Sequence, residues 1–207
     1  MRDHWGDTLQ PHLVQHVELT LIAVSLGFVI AFALALLAHR RRAIDQPIGI
    51  VAGLIYTIPS IAIFQILIPF FGLSNTTVEI PLTGYSLVIL YPNILAGLRA
   101  ASPEVLEAAR GMGLRSREVL LRVELPLAVP AIIGGLRVAV VSTVSIGTIA
   151  AFIGDRGLGY PIFVALREPT PFKTEIYSAG FLVVALALTC DLILVTARRL
   201  LVPWTRA

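Results

Sequence analysis

EAARGMGLRSREVLLRVELP, residues 107–126, is a polar, arginine-rich stretch set between long apolar runs. Its own spacing predicts two short helices at an angle. Ser102 and Pro103 suit an N-cap and a first helical position, and Glu104 and Glu107 fall near the positive end of the helix dipole. Val105, Leu106, Ala109 and Met112 recur at helical spacing and make one apolar stripe. Gly111 and Gly113 then end the helix, because glycine takes the left-handed conformation that a sharp exit needs. A second helix runs over residues 116–123, and Pro126 breaks or redirects the chain where the next apolar run begins.

Around this stretch the chain is far more apolar than a soluble domain. Of 207 residues, 57% are hydrophobic and 14% charged, which predicts one all-α membrane domain. The net charge of +3 does not point to nucleic acid, because the arginines flank apolar runs and form no stripe on a soluble face. The one cysteine, Cys190, sits inside an apolar run as a small hydrophobe, so neither a disulfide framework nor a Cys/His metal cluster is expected. There is no GxxxxGK[ST] loop and no nucleophile elbow, so this chain is expected to bind no ATP of its own and to catalyse no hydrolysis.

Five spans are expected, at about residues 17–38, 47–71, 82–99, 127–153 and 176–197. The start of the chain does not read as a cleaved signal peptide. His39 and Arg40, Arg41 and Arg42 follow the first span at once, which keeps that end in the cytoplasm and leaves Met1 outside; Trp5 fits an outer interface. In the second run Pro59 removes a backbone bond, and Ser60 or Thr57 can satisfy the freed carbonyl. A bent helix follows, as a packing kink or as a hinge. The polar linker SNTTVEIP, residues 74–81, suits the outside. The third run is interrupted by Pro92 and Asn93, so it belongs inside a bundle or against a wet cavity. The fourth is rich in small and hydroxyl residues, including Gly134, Gly135, Ser142, Thr143, Ser145, Gly147 and Thr148, and is the first choice for a pore-lining helix. Arg137 within it snorkels, pairs structurally or binds cargo, and Asp191 in the fifth run is expected to find a structural partner such as Arg137 or to serve a proton relay. Residues 154–175 are too broken by charge and proline to span.

The basic residues test this topology. Arg40, Arg41, Arg42, Arg99, Arg110, Arg115, Arg117, Arg122, Arg198, Arg199 and Arg206 fall inside, against Arg2, Arg156, Arg167 and Lys173 outside. The bias fits an N-terminus outside and a C-terminus in the cytoplasm. No internal repeat supports a secondary transporter of paired halves.

Glu107, Ala108 and Ala109, then Gly113, then Val123, Leu125 and Pro126 match the EAA-loop pattern, in which EAA is followed after three residues by Gly and nine residues later by Ile/Val-x-Leu-Pro. The chain resembles the permeases of ABC importers of type I. YTIPSIAIFQILIPFFGL (56–73), SPEVLEAARGMGL (102–114), VELPLAVPAIIGGLRVA (123–139) and GTIAAFIGDRGLGYPIF (147–163) narrow the resemblance to the importers of osmoprotectants such as glycine betaine, carnitine and choline. The resemblance implies that the EAA loop is a cytoplasmic coupling helix docked in a separate ATPase. It also implies a second permease subunit, identical or paralogous, an extracytoplasmic solute-binding protein, and ATP and Mg on the ATPase with no cofactor or metal on this chain.

Candidate residues along the path are Tyr56, Pro59, Ser60, Asn93, Ser142, Ser145 and Thr148. Tyr56, Phe64, Tyr85 and Tyr91 are available to hold a quaternary ammonium by cation–π attraction, or are simple packing. The competing readings are a permease for another small solute such as an amino acid, a nucleotide-independent channel or membrane scaffold, and a membrane-embedded enzyme. The last lacks a convergent titratable cluster.

Overall fold

The computed structural model describes residues 9–168 and 173–202, which are helical with no strand among them. Arg2, Trp5 and Arg206 lie outside the described residues, as does part of the polar segment 154–175.

The first helix, α1, spans Gln10–Arg40. It begins two turns earlier than hydropathy indicates because Pro11 suits a first turn and nothing breaks the run until the basic cluster. Its buried face is built from Leu19 and then Ala23, Gly27, Ala31, Ala35 and Ala38, the last five small residues about one turn apart that let a neighbouring backbone come close. That neighbour is α4, Asn75–Leu98. A Cβ on Gly27 would stand 1.9 Å from Ser86 Oγ.

Between them the chain makes a broken arm, α2 (Asp45–Thr57) and α3 (Ser60–Phe71), bent by 95°. Pro59 forces the break: Ile58 before it is extended, at φ −75° and ψ 124°. Of the two expected donors Thr57 serves, giving its hydroxyl to the Leu54 carbonyl at 2.7 Å.

Two expectations are corrected at α4. Residues 74–81 are no loop: Ser74 caps the helix by accepting the Thr77 N–H, the Thr77 hydroxyl bonds the Gly72 carbonyl at 2.6 Å, and Thr77, Val78, Pro81 and Leu82 are buried. Pro92 and Asn93 do not interrupt the helix either: α4 runs through both, Pro92 lies exposed, the Asn93 amide donates to the Ile89 carbonyl at 2.8 Å, and the span packs inside the bundle as expected.

A third correction concerns Pro126. The short helix α6 (Ser116–Val119) runs without a break through a π-turn, Leu120–Glu124, into α7 (Leu125–Gly147) and a final 3₁₀ turn, one rod of 37 residues from Ser116 to Phe152. The widened turn sets the Leu125 N–H on the Leu120 carbonyl, and Pro126 then sits in the first turn of the α-helical stretch, where a missing N–H matters least.

α4 lies at the centre of the bundle, packed on α1 and α7. Gly97 approaches Ala128 and Ala131, and a Cβ on Gly135 would come within 2.7 Å of Asn93 Cβ. The short α8, Gly159–Arg167, is too brief to cross a bilayer, and α9, Lys173–Leu201, packs outside α7 and α8. Two cores result, one around Leu90, Ile94, Leu98 and Ala128, the other around Leu19, Phe64, Val78, Leu82 and Ile153. Among the described residues four helices are long and apolar enough to cross a membrane, and the bent pair passes the same test when taken together.

Candidate coupling site and bundle interior

The EAA stretch folds as its sequence dictates up to Ser116. α5 is Pro103–Gly111, with the Ser102 hydroxyl accepting the Val105 N–H and Pro103 in the first turn. The Ser102 hydroxyl, and then the helix's own N–H, hold the Glu104 carboxyl below the ordinary carboxylate range. At the other end the Gly113 N–H bonds the Arg110 carbonyl at 2.9 Å and the Leu114 N–H bonds the Ala109 carbonyl at 3.2 Å, with Gly113 at φ +87°. This is a Schellman exit, which wants glycine at that one position. The next helix starts when the Glu118 carboxylate accepts the Arg115 N–H at 2.8 Å.

The apolar stripe of α5 divides in two. Ala109 is buried at 2% exposure and Leu106 half-buried, whereas Val105 is 44% and Met112 75% exposed. Glu107 and Ala108 are exposed beside them. Ala109 anchors the helix, and Glu107, Ala108 and Met112 are offered outward. Val123, Leu125 and Pro126 are half-buried in the rod that follows.

Behind this loop lies a polar network that sequence reasoning missed. His39 Nε2 stands 3.1 Å from Glu124 Oε2, joining the end of α1 to the π-turn, and Glu124 is 8% exposed. The signal was a carboxylate with apolar residues on both sides in VELP. His39 Nδ1 is buried and has no hydrogen-bond partner among the described residues. Arg40, Arg110, Ser116 and Arg117 join this pair around a cleft of about 540 Å³. Asp45 accepts from Arg99 at 2.6 Å and from the Tyr91 hydroxyl at 2.9 Å, while Arg99 also donates to the Ala38 carbonyl. The arginine-rich ends thus gather at one end of the bundle.

At the opposite end α1 clasps the loop before α8. His16, 1% exposed, accepts the Leu158 N–H on Nδ1 at 3.1 Å, so its proton sits on Nε2, which donates to the Val144 carbonyl at 3.0 Å. Gln15 accepts the Gly157 N–H at 2.7 Å, and His12 meets Asp155 at 2.6 Å while stacking on Tyr160. Nothing in the local sequence marks this contact across more than a hundred residues.

Within the bundle Arg137 and Asp191 pair in two parallel bonds, at 2.7 and 2.9 Å, tying α9 to α7. The other interior candidates fall in three places. Tyr56, Pro59 and Ser60 lie at the bend of the arm, the first two exposed. Asn93 packs on Gly135 between α4 and α7. Ser142, Ser145 and Thr148 lie along the second half of the rod, with the Ser145 and Thr148 hydroxyls bonded back to their own helix. The small residues of α7 serve close packing at Gly135 as well as any lining role.

With this geometry in place, the likeness to known proteins can be given. Residues 23–207 match the family described as "Binding-protein-dependent transport system inner membrane component". The chain is 35% identical over 199 residues to the choline transport system permease protein OpuBB of Bacillus subtilis, covering 96% of this chain and 90% of that one. It is 32% identical over 190 residues to the glycine betaine/carnitine/choline transport system permease protein OpuCB of the same organism, covering 91% of this chain and 86% of that one. The osmoprotectant import permease protein OsmW of Salmonella typhimurium is 38% identical over 150 residues, 70% of each chain. A solved chain of the MetNI methionine ABC transporter in an inward-facing form shares the fold, with a TM-score of 0.85 at 18% identity over 97% of this chain and 99% of that one. The chain belongs to the inner membrane components of binding-protein-dependent transport systems, and is a multi-pass membrane permease subunit of an ABC importer.

Proposed function

We propose that this chain forms the translocation path of an ATP-driven importer of osmoprotectants, the class carrying glycine betaine, carnitine or choline. The names of its relatives support the cargo class. The observation that carries the mechanism is the continuity of one rod, Ser116 to Phe152, from the coupling loop to the opposite end of the bundle. At about 1.5 Å per residue it is roughly 55 Å long, more than the thickness of a bilayer. A tilt imposed at its first turn moves its far end.

In this reading the arm α2–α3 counts as one span, giving five, with the N-terminus outside and the arginine-rich end in the cytoplasm. α5 presents Glu107, Ala108 and Met112 to a groove on the ATPase, Ala109 holds it to the bundle, and Gly113 fixes the angle to the rod. Val123, Leu125 and Pro126 carry the motion into α7. ATP and Mg stay on the ATPase, and this chain is a non-catalytic subunit. A second permease, identical or paralogous, completes the path, and an extracytoplasmic binding protein delivers the solute to the end where α1 clasps residues 154–159. Tyr56, Pro59, Ser60, Asn93, Ser142, Ser145 and Thr148 remain the residues proposed to line the passage.

The test is uptake of labelled glycine betaine, carnitine and choline, with amino acids as competitors, in cells carrying the complete transporter. Uptake displaced by a compatible solute and untouched by amino acids is expected. Displacement by an amino acid alone overturns the cargo class, and failure to co-purify with any ATPase overturns the coupling role.

A further inference from the structure

Two neighbours on α4 face different helices. The Ser86 hydroxyl lies between the Ala23 carbonyl of α1 at 3.1 Å and the Thr83 carbonyl of its own helix at 3.0 Å, and Gly27 packs against it, so α1 and α4 are in tight contact there. Tyr85, 4% exposed, donates its hydroxyl instead to the Ile58 carbonyl, at the break in the arm. The end of α2 leaves carbonyls without helical donors, and in an apolar surrounding each needs another. Thr57 serves one from within its own helix. Among the described residues, the Tyr85 hydroxyl is the side-chain donor that reaches the elbow from a different helix.

Apart from one apolar anchor, Phe64 of α3 in the second core, the rest of the arm is lightly held. Ala52 and Phe64 are the buried side chains of α2 and α3, while Val51, Leu54, Tyr56, Ile66 and Phe70 are well exposed. Its ends are pinned, by Asp45 to Arg99 and Tyr91 at one and by Thr77 to the Gly72 carbonyl at the other. Gln65 on α3 is exposed in an otherwise apolar helix. An amide facing lipid is unfavourable, so that side of α3 turns toward water or another protein surface.

We propose that the bend of the α2–α3 arm swings against α4 during transport, and that Tyr85 is the positioning residue that sets its bent position. The inference rests on the transport reading above, and deepens it by naming the part that moves within this chain. An arm fixed at both ends, with one interhelical polar tie at its middle, opens by breaking that tie. The freed Ile58 carbonyl then takes water from the passage.

Two experiments test this. Tyr85→Phe keeps the ring and removes the donor. In the assembled, reconstituted transporter we expect solute uptake to fall by about fivefold or more, with the ratio of solute-stimulated to basal ATPase activity falling too. A passive prop would lower the yield of complex and leave that ratio unmoved, so an unchanged ratio overturns the positioning role.

The second links the arm to α4. A Cβ on Gly84 stands 3.9 Å from Ile55 Cγ2, so Gly84→Cys with Ile55→Cys, in a Cys190→Ala background, sets two thiols on facing positions that a disulfide or a short bifunctional thiol cross-linker can join. Oxidation is expected to abolish uptake and a reductant to restore it. Full uptake with the link complete overturns the movement, and failure of the pair to link overturns the geometry behind it. An assembly that docks its ATPase but imports none of the osmoprotectants sinks the transport reading alone, because a change in basal ATPase activity on oxidation still reports the arm.

Discussion

Replacing Gly113 with valine places a β-branched residue at φ +87°. A side chain in that region is unfavourable by about 1–3 kcal/mol. Nothing lies within 4 Å of the Cβ it would gain, so the penalty is conformational and not a clash. Two hydrogen bonds hold the turn, from the Gly113 N–H to the Arg110 carbonyl and from the Leu114 N–H to the Ala109 carbonyl. Each is worth about 0.5–1.5 kcal/mol. The penalty and the restoring force are of equal size, so valine shifts the turn toward other conformations by roughly 5- to 150-fold. Asparagine, which tolerates the left-handed region, should cost little, and alanine should fall between. The assay is solute-stimulated ATPase activity of the reconstituted transporter, beside pull-down of the ATPase and a protease-protection check of membrane insertion. Activity should follow the order glycine, asparagine, alanine, valine, with insertion unchanged throughout. Normal stimulated activity in Gly113→Val would refute the claim that this turn sets the angle between α5 and the rod.

Other expectations follow from the packing. Asp191→Arg should deplete the assembled protein, and adding Arg137→Asp should restore it in part, measured as detergent-extracted yield; no restoration would mean that the pair is incidental. Gly27→Ala should destabilise by about 1–3 kcal/mol through overpacking, and Ser86→Ala in the same chain should recover part of that, because the 1.9 Å approach is to the hydroxyl and the remaining Cβ lies at 3.2 Å. Thermal unfolding in detergent measures both. His16→Phe removes a donor and an acceptor from buried partners and should lower stability by about 1–3 kcal/mol, whereas His16→Asn, which can still accept the Leu158 N–H, should lose less. Equal losses would place the effect in ring packing and not in the clasp.

Local chemistry was legible in this sequence and long-range pairing mostly was not. The N-cap at Ser102, the glycine exit at Gly113 and the break at Pro59 each depend on residues within one or two turns, so their spacing carries the outcome. Arg137 and Asp191 could be matched across 54 residues because an intramembrane charge must find an opposite charge, and few were available. The errors at residues 74–81 and at Pro126 have one cause: polarity and proline end a helix in isolation, but caps, a π-turn and covering neighbours supply what the backbone then lacks. The small-residue face of α1 was visible as an alanine and glycine every four positions, yet hydropathy alone passes over it. The clasp by His16 had no local signal, since both partners are main-chain groups that any residue provides.

The distribution of packing separates what can move from what cannot. α1 and α4 approach so closely at Gly27 that even a hydroxyl and a methyl cannot share the space, and α4 and α7 are nearly as close at Gly97 and Gly135. Such contacts forfeit their dispersion energy over a fraction of an ångström, so these three helices shift as one body or not at all. The rod that begins in the coupling loop is one of the three. A push on α5 must therefore turn the whole of α1, α4 and α7 together, and relative motion inside this chain falls to the parts held by a few directional bonds. Those are the arm α2–α3, with most of its surface uncovered, and α9, buried at Ala179 and tied by Asp191. α9 lies on the outside of the bundle, with Phe181, Val184, Leu188 and Leu192 exposed along one face, while its exposed Thr189 and Thr196 return their hydroxyls to carbonyls of their own helix. That face suits lipid. The arm carries Gln65 on an exposed position, and an amide there suits water or a partner surface better than lipid.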